Sequence, residues 1–81
     1  MNLPRDLSGA DLVRALSRLG YQVTRRKGSH IRLTTNLNGE HHVTIPDHDP
    51  LRIGTLSGIL RDVAAHHGLS RDELVALLFD T

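Results

Sequence analysis

The fold is decided by residues 21–46, which read YQVTRRKGSHIRLTTNLNGEHHVTIP. Hydrophobic and polar residues alternate here in three short runs, a period of two that is typical of half-buried β-strands. The hydrophobic positions of the three runs are Tyr21 and Val23, Ile31 and Leu33, and Val43 and Ile45. Segments that contain glycine, at residues 26–28 and 36–40, separate the runs and suit hairpin loops. The stretch therefore predicts a three-stranded antiparallel meander.

A helix is predicted before this sheet. Ser8 and Asp11 have the spacing of a capping box, in which each side chain bonds the backbone amide of the other residue. The helix should therefore begin at about Ala10. Gly20 follows the helical pattern and is a natural stop, because glycine readily takes the left-handed conformation that ends many helices.

Two further helices are predicted after the sheet. Hydrophobic residues at helical spacing between residues 53 and 64 indicate an amphipathic helix that ends before Gly68. Ser70 and Glu73 repeat the capping box and open a short third helix. The apolar side of this third helix is predicted to carry Leu74, Val75, Leu77 and Leu78.

The order α-β-β-β-α-α predicts one α+β domain over residues 1–81, with the helices on one face of the sheet and the other face open to water. The chain has no cysteine, which excludes disulfides, thiolate metal sites and a cysteine nucleophile. No apolar run near Met1 is long enough for a signal peptide or a membrane span, so a cytoplasmic protein is expected.

Strand register follows from the rule that directly opposed residues point to the same side of a sheet. Pairing Ile31 with Ile45 keeps the hydrophobic residues of the second and third strands together. The same pairing puts Thr34 opposite His42.

The first hairpin is predicted to have a three-residue loop at residues 26–28. This loop would place His30 beside Thr24 and Arg32 beside Gln22. His30 and Arg32 would then share the open face of the sheet.

The cations of the chain gather around the second strand. Ten Lys and Arg residues nearly balance nine Asp and Glu residues, so only a local surface could attract a polyanion. Residues 21–35 contain no acidic residue and carry four cations, Arg25, Arg26, Lys27 and Arg32. A basic strand pair with an outward histidine offers what RNA cleavage by 2′-hydroxyl attack requires: cations that hold phosphate, and a group that moves protons near neutral pH.

A plainer interpretation stays open on these residues alone. An outward histidine on a strand is often only solvated, and a basic hairpin often serves solubility. One Tyr and one Phe argue against a base-stacking platform of the kind found in RRM or single-strand-binding domains.

The histidines also raise the question of a metal site. His41 and His42 are close in sequence to the polar residues 47–49, but adjacent strand residues point to opposite faces and cannot both ligate one ion from a regular strand. His66 and His67 fit the C-terminal end of a helix, where positive charge is favourable. No metal ion or other cofactor is expected.

Three segments resemble a known family. They are Gly28-Ser29-His30, then Val43-Thr44-Ile45-Pro46 with His48, then Gly54-Thr55-Leu56 with Ile59-Leu60. In this order and at these spacings they look like the HicA toxin family, also called YcfA-like, and the resemblance extends over about residues 8–78. It implies a double-stranded-RNA-binding-domain-like fold, endoribonuclease activity on messenger RNA and neutralisation by a HicB antitoxin. The chain departs from the pattern in its C-terminal helix and at Ile31-Arg32-Leu33, where relatives often carry an aromatic residue.

The resemblance implies that the catalytic histidine is His30, which would take the 2′-hydroxyl proton or give one to the leaving 5′-oxygen. The RNA-binding residues expected around it are Arg25, Arg26, Lys27, Gly28, Ser29 and Arg32. The cations would hold phosphate, Gly28 would let the backbone approach RNA, and the Ser29 hydroxyl would bond a phosphate oxygen; an ordinary turn role is the alternative for these last two. His42 is expected about 13 Å away along the neighbouring strand and is not a direct partner.

The predicted function is therefore that of a metal-independent, mRNA-cleaving toxin with RNA and a HicB-like antitoxin as partners and no membrane. The alternative is a non-catalytic RNA-binding module of the same fold, which would not need His30. A third possibility, an adaptor that binds only protein, would leave the basic hairpin unexplained.

Overall fold

The computed structural model describes residues 6–80; the N-terminal residues 1–5, where the sequence has no apolar run, lie outside the described part. The elements follow the predicted order. They are α1 (Gly9–Leu16) with a 3-10 turn (Ser17–Leu19), β1 (Gln22–Lys27), β2 (His30–Thr35), β3 (His41–Pro46), α2 (Ile53–His67) and α3 (Arg71–Phe79).

One hydrophobic core joins the helices to a single face of the sheet. The strands form one antiparallel sheet in the order β1-β2-β3. The sheet contributes Ile31, Leu33, Val43 and Ile45 to the core, and the helices contribute Leu12, Leu16, Leu56, Leu60, Val63 and Leu74. The alternate residues of β2 and β3 turn away from this core. This confirms the predicted α+β architecture, which has the layering of a double-stranded-RNA-binding-like domain.

The predicted helix ends are confirmed. Ser8 and Asp11 form a complete capping box, and α1 begins at Gly9, one residue before the predicted start. Gly20 has φ 79° and closes the 3-10 turn that follows α1. Gly68 has φ 66° and caps α2, as the sequence predicts.

The third helix packs with three of its four predicted apolar residues. Leu74, Val75 and Leu78 are buried, whereas Leu77 is 42 % exposed, so the prediction for Leu77 is wrong. Its backbone is used instead, because the Arg18 guanidinium donates hydrogen bonds to the carbonyls of Leu77 and Asp80. The end of α3 is thereby tied to the turn after α1.

The second hairpin has the predicted register. Ile31 pairs with Ile45, and Thr34 pairs with His42. The hydrophobic side chains on both strands are buried together, so a slip by one residue would expose them.

The first hairpin turns over two residues rather than the three that the sequence predicts. Lys27 pairs with His30, so Gly28 and Ser29 form the loop, and His30 is not beside Thr24 as predicted. Gly28 has φ 57°. A positive φ at the first of two loop residues is what a type II′ turn requires, and this turn matches the twist of the strands it joins.

A β-bulge in β1 is the second difference from the prediction. Thr24 is an extra residue between Val23 and Arg25, and Arg32 lies beside Arg25 rather than beside Gln22. In a bulge, two residues of one strand oppose a single residue of the other, so the alternation of faces shifts by one position beyond it.

β1 is an edge strand and is not half-buried, contrary to the prediction. All six of its residues are exposed, and Val23 is 47 % exposed. The helices α1 and α2 pack against β3, at the other edge of the sheet. The hydrophobic anchor of this edge is Tyr21, which immediately precedes β1 and is buried.

A close backbone contact fixes the start of α1 against the end of β3. A Cβ atom on Gly9 would overlap the carbonyl oxygen of Pro46, so only glycine fits there. The Gly9 amide also donates a hydrogen bond to the His48 carbonyl at 2.9 Å. The segment after β3 is thus held against α1.

Gly9→Ala should lower the free energy of unfolding by about 1–3 kcal/mol, because the added methyl group overlaps a backbone carbonyl that cannot rotate away. Urea unfolding followed by circular dichroism measures the change. Gly58→Ala is the matched control, since Gly58 lies inside α2 with open space around its Cβ position. It should raise stability by about 0.5–1 kcal/mol. Equal effects of the two substitutions would contradict the contact.

Candidate nucleic-acid interface

His30 lies on the open face of the sheet, at the first position of β2. It is exposed and lies between Lys27 on β1 and Pro46 on β3. The Asp47 amide donates a hydrogen bond to the carbonyl of Ser29 at 2.6 Å, which fixes the residue before His30 to the segment after β3. The histidine is therefore accessible to a ligand while its backbone is held from both sides.

The bulge brings cations to the same face. Arg25 pairs with Arg32, and Lys27 pairs with His30, so all four residues point to one side of the sheet. Arg26 points to the other side, where its guanidinium lies 3.2 Å from the Asp47 carboxylate. Of the four cations that the sequence groups around His30, three surround it on the open face and one does not.

The turn residues have different surroundings. Apart from Gly28 itself and its two chain neighbours, no heavy atom of residues 6–80 lies within 4 Å of the Cβ position of Gly28, so a ligand can approach the backbone there. Ser29 is exposed, and its carbonyl accepts the bond from Asp47 described above.

A chain of hydrogen bonds crosses the same open face at the opposite end from His30. The Thr24 and Thr34 hydroxyls are 2.9 Å apart, and the Thr34 hydroxyl is 2.7 Å from Nδ1 of His42. Nε2 of His42 is 2.7 Å from the Glu40 carboxylate. Sequence reasoning did not identify this chain, although the predicted pairing of Thr34 with His42 was the signal that could have found it.

His42 is too far from His30 to exchange a proton with it directly. Pro46 pairs with His30, and His42 lies four residues before Pro46 on β3. At about 3.3 Å per residue, this separation is about 13 Å along the strand.

The part of the chain that forms this site matches a known protein family. A family model described as the HicA toxin of bacterial toxin–antitoxin systems matches residues 9–64, which is more than half of the chain. This chain belongs to the HicA toxin family. The match begins with α1, covers the whole sheet and ends inside α2, so α3 lies beyond it. The resemblance predicted from the sequence is confirmed.

HicA toxins work in toxin–antitoxin pairs, so this chain has a toxin role and an antitoxin partner. Neither the curated proteins nor the solved structures gave a match to the chain. None of the helices within residues 6–80 is long and apolar enough to cross a membrane.

Three of the four remaining histidines of this HicA toxin, His41, His66 and His67, form a separate cluster on the helix side of the sheet. The rings of His41 and His66 stack with their centroids 4.3 Å apart, and His67 packs edge-on against His66 at 4.7 Å. The Tyr21 hydroxyl lies 2.7 Å from Nδ1 of His41 and 3.0 Å from Nε2 of His67. The sequence did not reveal this cluster, because its members come from three distant segments.

The cluster ties the β2–β3 loop to the end of α2. Nε2 of His66 donates hydrogen bonds to the carbonyls of Leu37 and Gly39 at 3.2 and 3.0 Å. The Asn38 amide group lies 3.1 Å from Nδ1 of His67 and can donate to it. Within residues 6–80 no group of three histidine, cysteine or acidic side chains has the geometry to hold a metal ion.

The surroundings of Tyr21 and His67 shift their pKa values in opposite directions. Burial, followed by the charge of Asp62, raises the pKa of Tyr21 to about 12. Burial, followed by repulsion from His66 and His41, lowers the pKa of His67 below its ordinary value of 6.5. Both residues therefore favour their neutral forms in the folded chain.

The free energy of unfolding should fall toward both ends of the pH scale. Below about pH 6.5 the unfolded chain protonates His67 before the folded chain does, so stability decreases as the pH drops through that window. Above about pH 10 the unfolded chain loses the Tyr21 proton while the folded chain keeps it up to about pH 12, so stability decreases again. Urea unfolding over a series of pH values measures both limbs.

Tyr21→Phe is the control for the alkaline limb. Tyr21 is the only tyrosine of the chain, so its titration can be followed directly by the ultraviolet absorbance of the phenolate. The variant should lose the decrease that Tyr21 causes above pH 10 and keep the decrease below pH 6.5. Titration of Tyr21 at its ordinary pKa of 10 in the folded chain would contradict the cluster.

Proposed function

We propose that this HicA toxin is a metal-independent endoribonuclease that cleaves messenger RNA with His30 as its proton-transfer group. The observation that carries the proposal is the position of His30, exposed on the open face with Arg25, Lys27 and Arg32 around it. RNA cleavage by its own 2′-hydroxyl needs a proton acceptor beside the ribose and positive charge beside the phosphate. This face supplies both from side chains alone.

In the proposed reaction His30 accepts the proton of the 2′-hydroxyl as the 2′-oxygen attacks the adjacent phosphorus. The bond from phosphorus to the 5′-oxygen of the next nucleotide breaks, and the leaving oxygen takes up a proton from His30 or from water. The products are a 2′,3′-cyclic phosphate and a free 5′-hydroxyl. The cations stabilise the negative charge that builds on the phosphate oxygens.

The cations on the open face are the first candidates for phosphate binding. Lys27 lies directly opposite His30, and Arg32 lies two residues along β2 on the same face. Gly28 and Ser29 adjoin this pair in the turn, where the backbone is open to a close approach and the Ser29 hydroxyl is available to a phosphate oxygen. Arg26 is a weaker candidate, because its ion pair with Asp47 occupies it on the other side of the strand.

His30→Ala should reduce cleavage by about 10²–10⁴-fold and leave RNA affinity nearly unchanged, because the substitution removes the proton-transfer group and not a cation. Single-turnover cleavage and equilibrium binding of the same labelled RNA measure the two quantities. Lys27→Ala is the complementary variant and should weaken RNA binding. It should also reduce the number of ions released on binding, measured from the salt dependence of RNA affinity, by about one. Full activity of His30→Ala would remove His30 from the mechanism.

The nucleophile is tested with an RNA that carries a single 2′-deoxy sugar at the cleaved position. This substrate should bind normally and resist cleavage, and activity on the unmodified RNA should survive excess chelator. Complete cutting of the deoxy substrate would exclude the 2′-hydroxyl as nucleophile. Binding without any cleavage of either RNA would favour the alternative function, a non-catalytic RNA-binding module of the same fold.

We further propose that the antitoxin is HicB-like and covers the open face with acidic side chains. A concentrated positive patch speeds association with a negatively charged partner, and covering it blocks RNA at the same time. The antitoxin and RNA should therefore compete. Unchanged RNA affinity in the presence of saturating antitoxin would show that inhibition works elsewhere.

Charge reversal at Arg32 provides the test of this surface. Arg32→Glu should slow association with the antitoxin and reduce its salt dependence, because Arg32 lies in the positive patch. Arg61→Glu is the matched control, since Arg61 is exposed on α2 and not on the sheet. Stopped-flow association rates at two salt concentrations compare the variants, and an equal effect of both would contradict the proposed surface.

A further inference from the structure

The bulge in β1 decides which cations share a face with His30. A regular ladder continued from the pair of Val23 with Leu33 would place Thr24 opposite Arg32 and Arg26 opposite His30. Arg25 and Lys27 would then point to the helix side. The extra residue reverses this arrangement, so Arg25 and Lys27 lie on the open face and Arg26 does not.

The extra residue is held by its side chain. A bulge leaves its additional residue outside the ladder, and nothing in the backbone pairing keeps it in place. Here the Thr24 hydroxyl is 2.9 Å from that of Thr34, on the central strand, and 3.5 Å from the carbonyl oxygen of Arg32. Thr34 in turn bonds to His42 on β3. The bulge on the edge strand is therefore linked across the whole sheet.

Glu40, at the far end of the hydrogen-bond chain, determines which ring nitrogen of His42 carries a proton. The Glu40 carboxylate only accepts hydrogen bonds, so Nε2 of His42 must carry a proton. In a neutral His42, Nδ1 accepts from Thr34, and Thr34 accepts from Thr24. In a protonated His42, Nδ1 donates to Thr34, Thr34 donates to Thr24, and Thr24 donates to the Arg32 carbonyl. Every donor finds an acceptor in both forms, so the chain holds the bulge in either state.

We infer that Thr24, Thr34, His42 and Glu40 are positioning residues that lock the bulge and thereby keep Arg25 and Lys27 on the RNA-binding face. The inference rests on the proposed function of that face. His42 acts here through the arrangement of cations and not through proton transfer, because about 13 Å separates it from His30. The locked bulge presents three cations, whereas a regular ladder would present two, Arg26 and Arg32.

The test removes the Thr34 hydroxyl, which lies in the middle of the hydrogen-bond chain. Thr34→Val keeps nearly the same shape and removes the hydroxyl, whereas Thr34→Ser keeps the hydroxyl. Thr44→Val is the matched control, because Thr44 is exposed on the same face of β3 and has no hydrogen bond from its side chain to the described residues. In Thr34→Val the RNA dissociation constant should rise about 3–10-fold, the effect of losing the hydrogen bond between Thr34 and Thr24 that holds the bulge. The slope of the logarithm of RNA affinity against the logarithm of salt concentration should become shallower by about one released ion.

The cleavage rate at saturating RNA should stay within about twofold of the wild type, because His30 keeps its position and a regular ladder places the cation Arg26, instead of Lys27, opposite it. Thr34→Ser and Thr44→Val should match the wild type in both quantities. Unchanged RNA affinity in Thr34→Val would overturn the inference. Loss of the saturating rate together with affinity would also overturn it, since that result indicates general damage to the sheet.

Deletion of Thr24 gives a second and independent arm. Without this residue the regular ladder itself pairs Arg25 with Arg32 and Lys27 with His30. The hydrogen-bond chain is then no longer needed to keep these cations on the open face. Thr34→Val should then have no effect on RNA affinity in the deletion background. A continued loss of affinity there would contradict the positioning role. If the deletion variant does not fold, the comparison of Thr34→Val with Thr34→Ser decides.

Nuclear magnetic resonance separates this inference from the proposed function. Cross-strand contacts between the backbones of Arg25 and Arg32 report the bulged register without any RNA. They should weaken in Thr34→Val and persist in Thr44→Val. Persistence in Thr34→Val refutes the lock whatever the protein cleaves, whereas their loss in a protein that neither binds nor cleaves RNA refutes only the proposed function.

Discussion

The packing of one sheet face against the helices is the constraint on which the rest of this protein depends. Ile31, Leu33, Val43 and Ile45 are buried beneath the helical layer. Because successive strand residues alternate sides, fixing these four inward also fixes their neighbours outward. The exposed face with His30 is therefore a direct consequence of the hydrophobic core. Any interaction that stabilises the core also stabilises the geometry of that face.

The same constraint explains how much of the fold could be predicted from the sequence. The second hairpin was predictable because hydrophobic residues on both strands must be buried together, which leaves one register. The first hairpin was not, because all residues of β1 are exposed and burial cannot distinguish one register from another. There the two-residue turn at Gly28 and the bulge at Thr24 set the pairing instead.

The same distinction separates the parts of the candidate site that could be predicted from the sequence from those that could not. The exposure of His30 and Arg32 followed from the predicted pairing of β2 with β3, whereas the separation of Arg26 from the other cations depended on a bulge that no hydrophobic pattern signals. The cluster around Tyr21 was beyond sequence reasoning for another reason. It joins His41 to His66 and His67 only after α2 has packed against the sheet, and helical or strand periodicity carries no information on such contacts.

The segment after β3 gives the hairpin tip an entropic advantage. Its backbone is bonded to α1 through Gly9 and His48, and to the hairpin through the Asp47 amide and the Ser29 carbonyl. Ordering a loop upon binding costs conformational entropy and subtracts from affinity. Here the tip is already ordered by its attachment to the segment after β3 when a ligand arrives. A partner that meets His30 thus encounters a rigid, preorganised surface, and more of the free energy of its contacts is expressed as affinity.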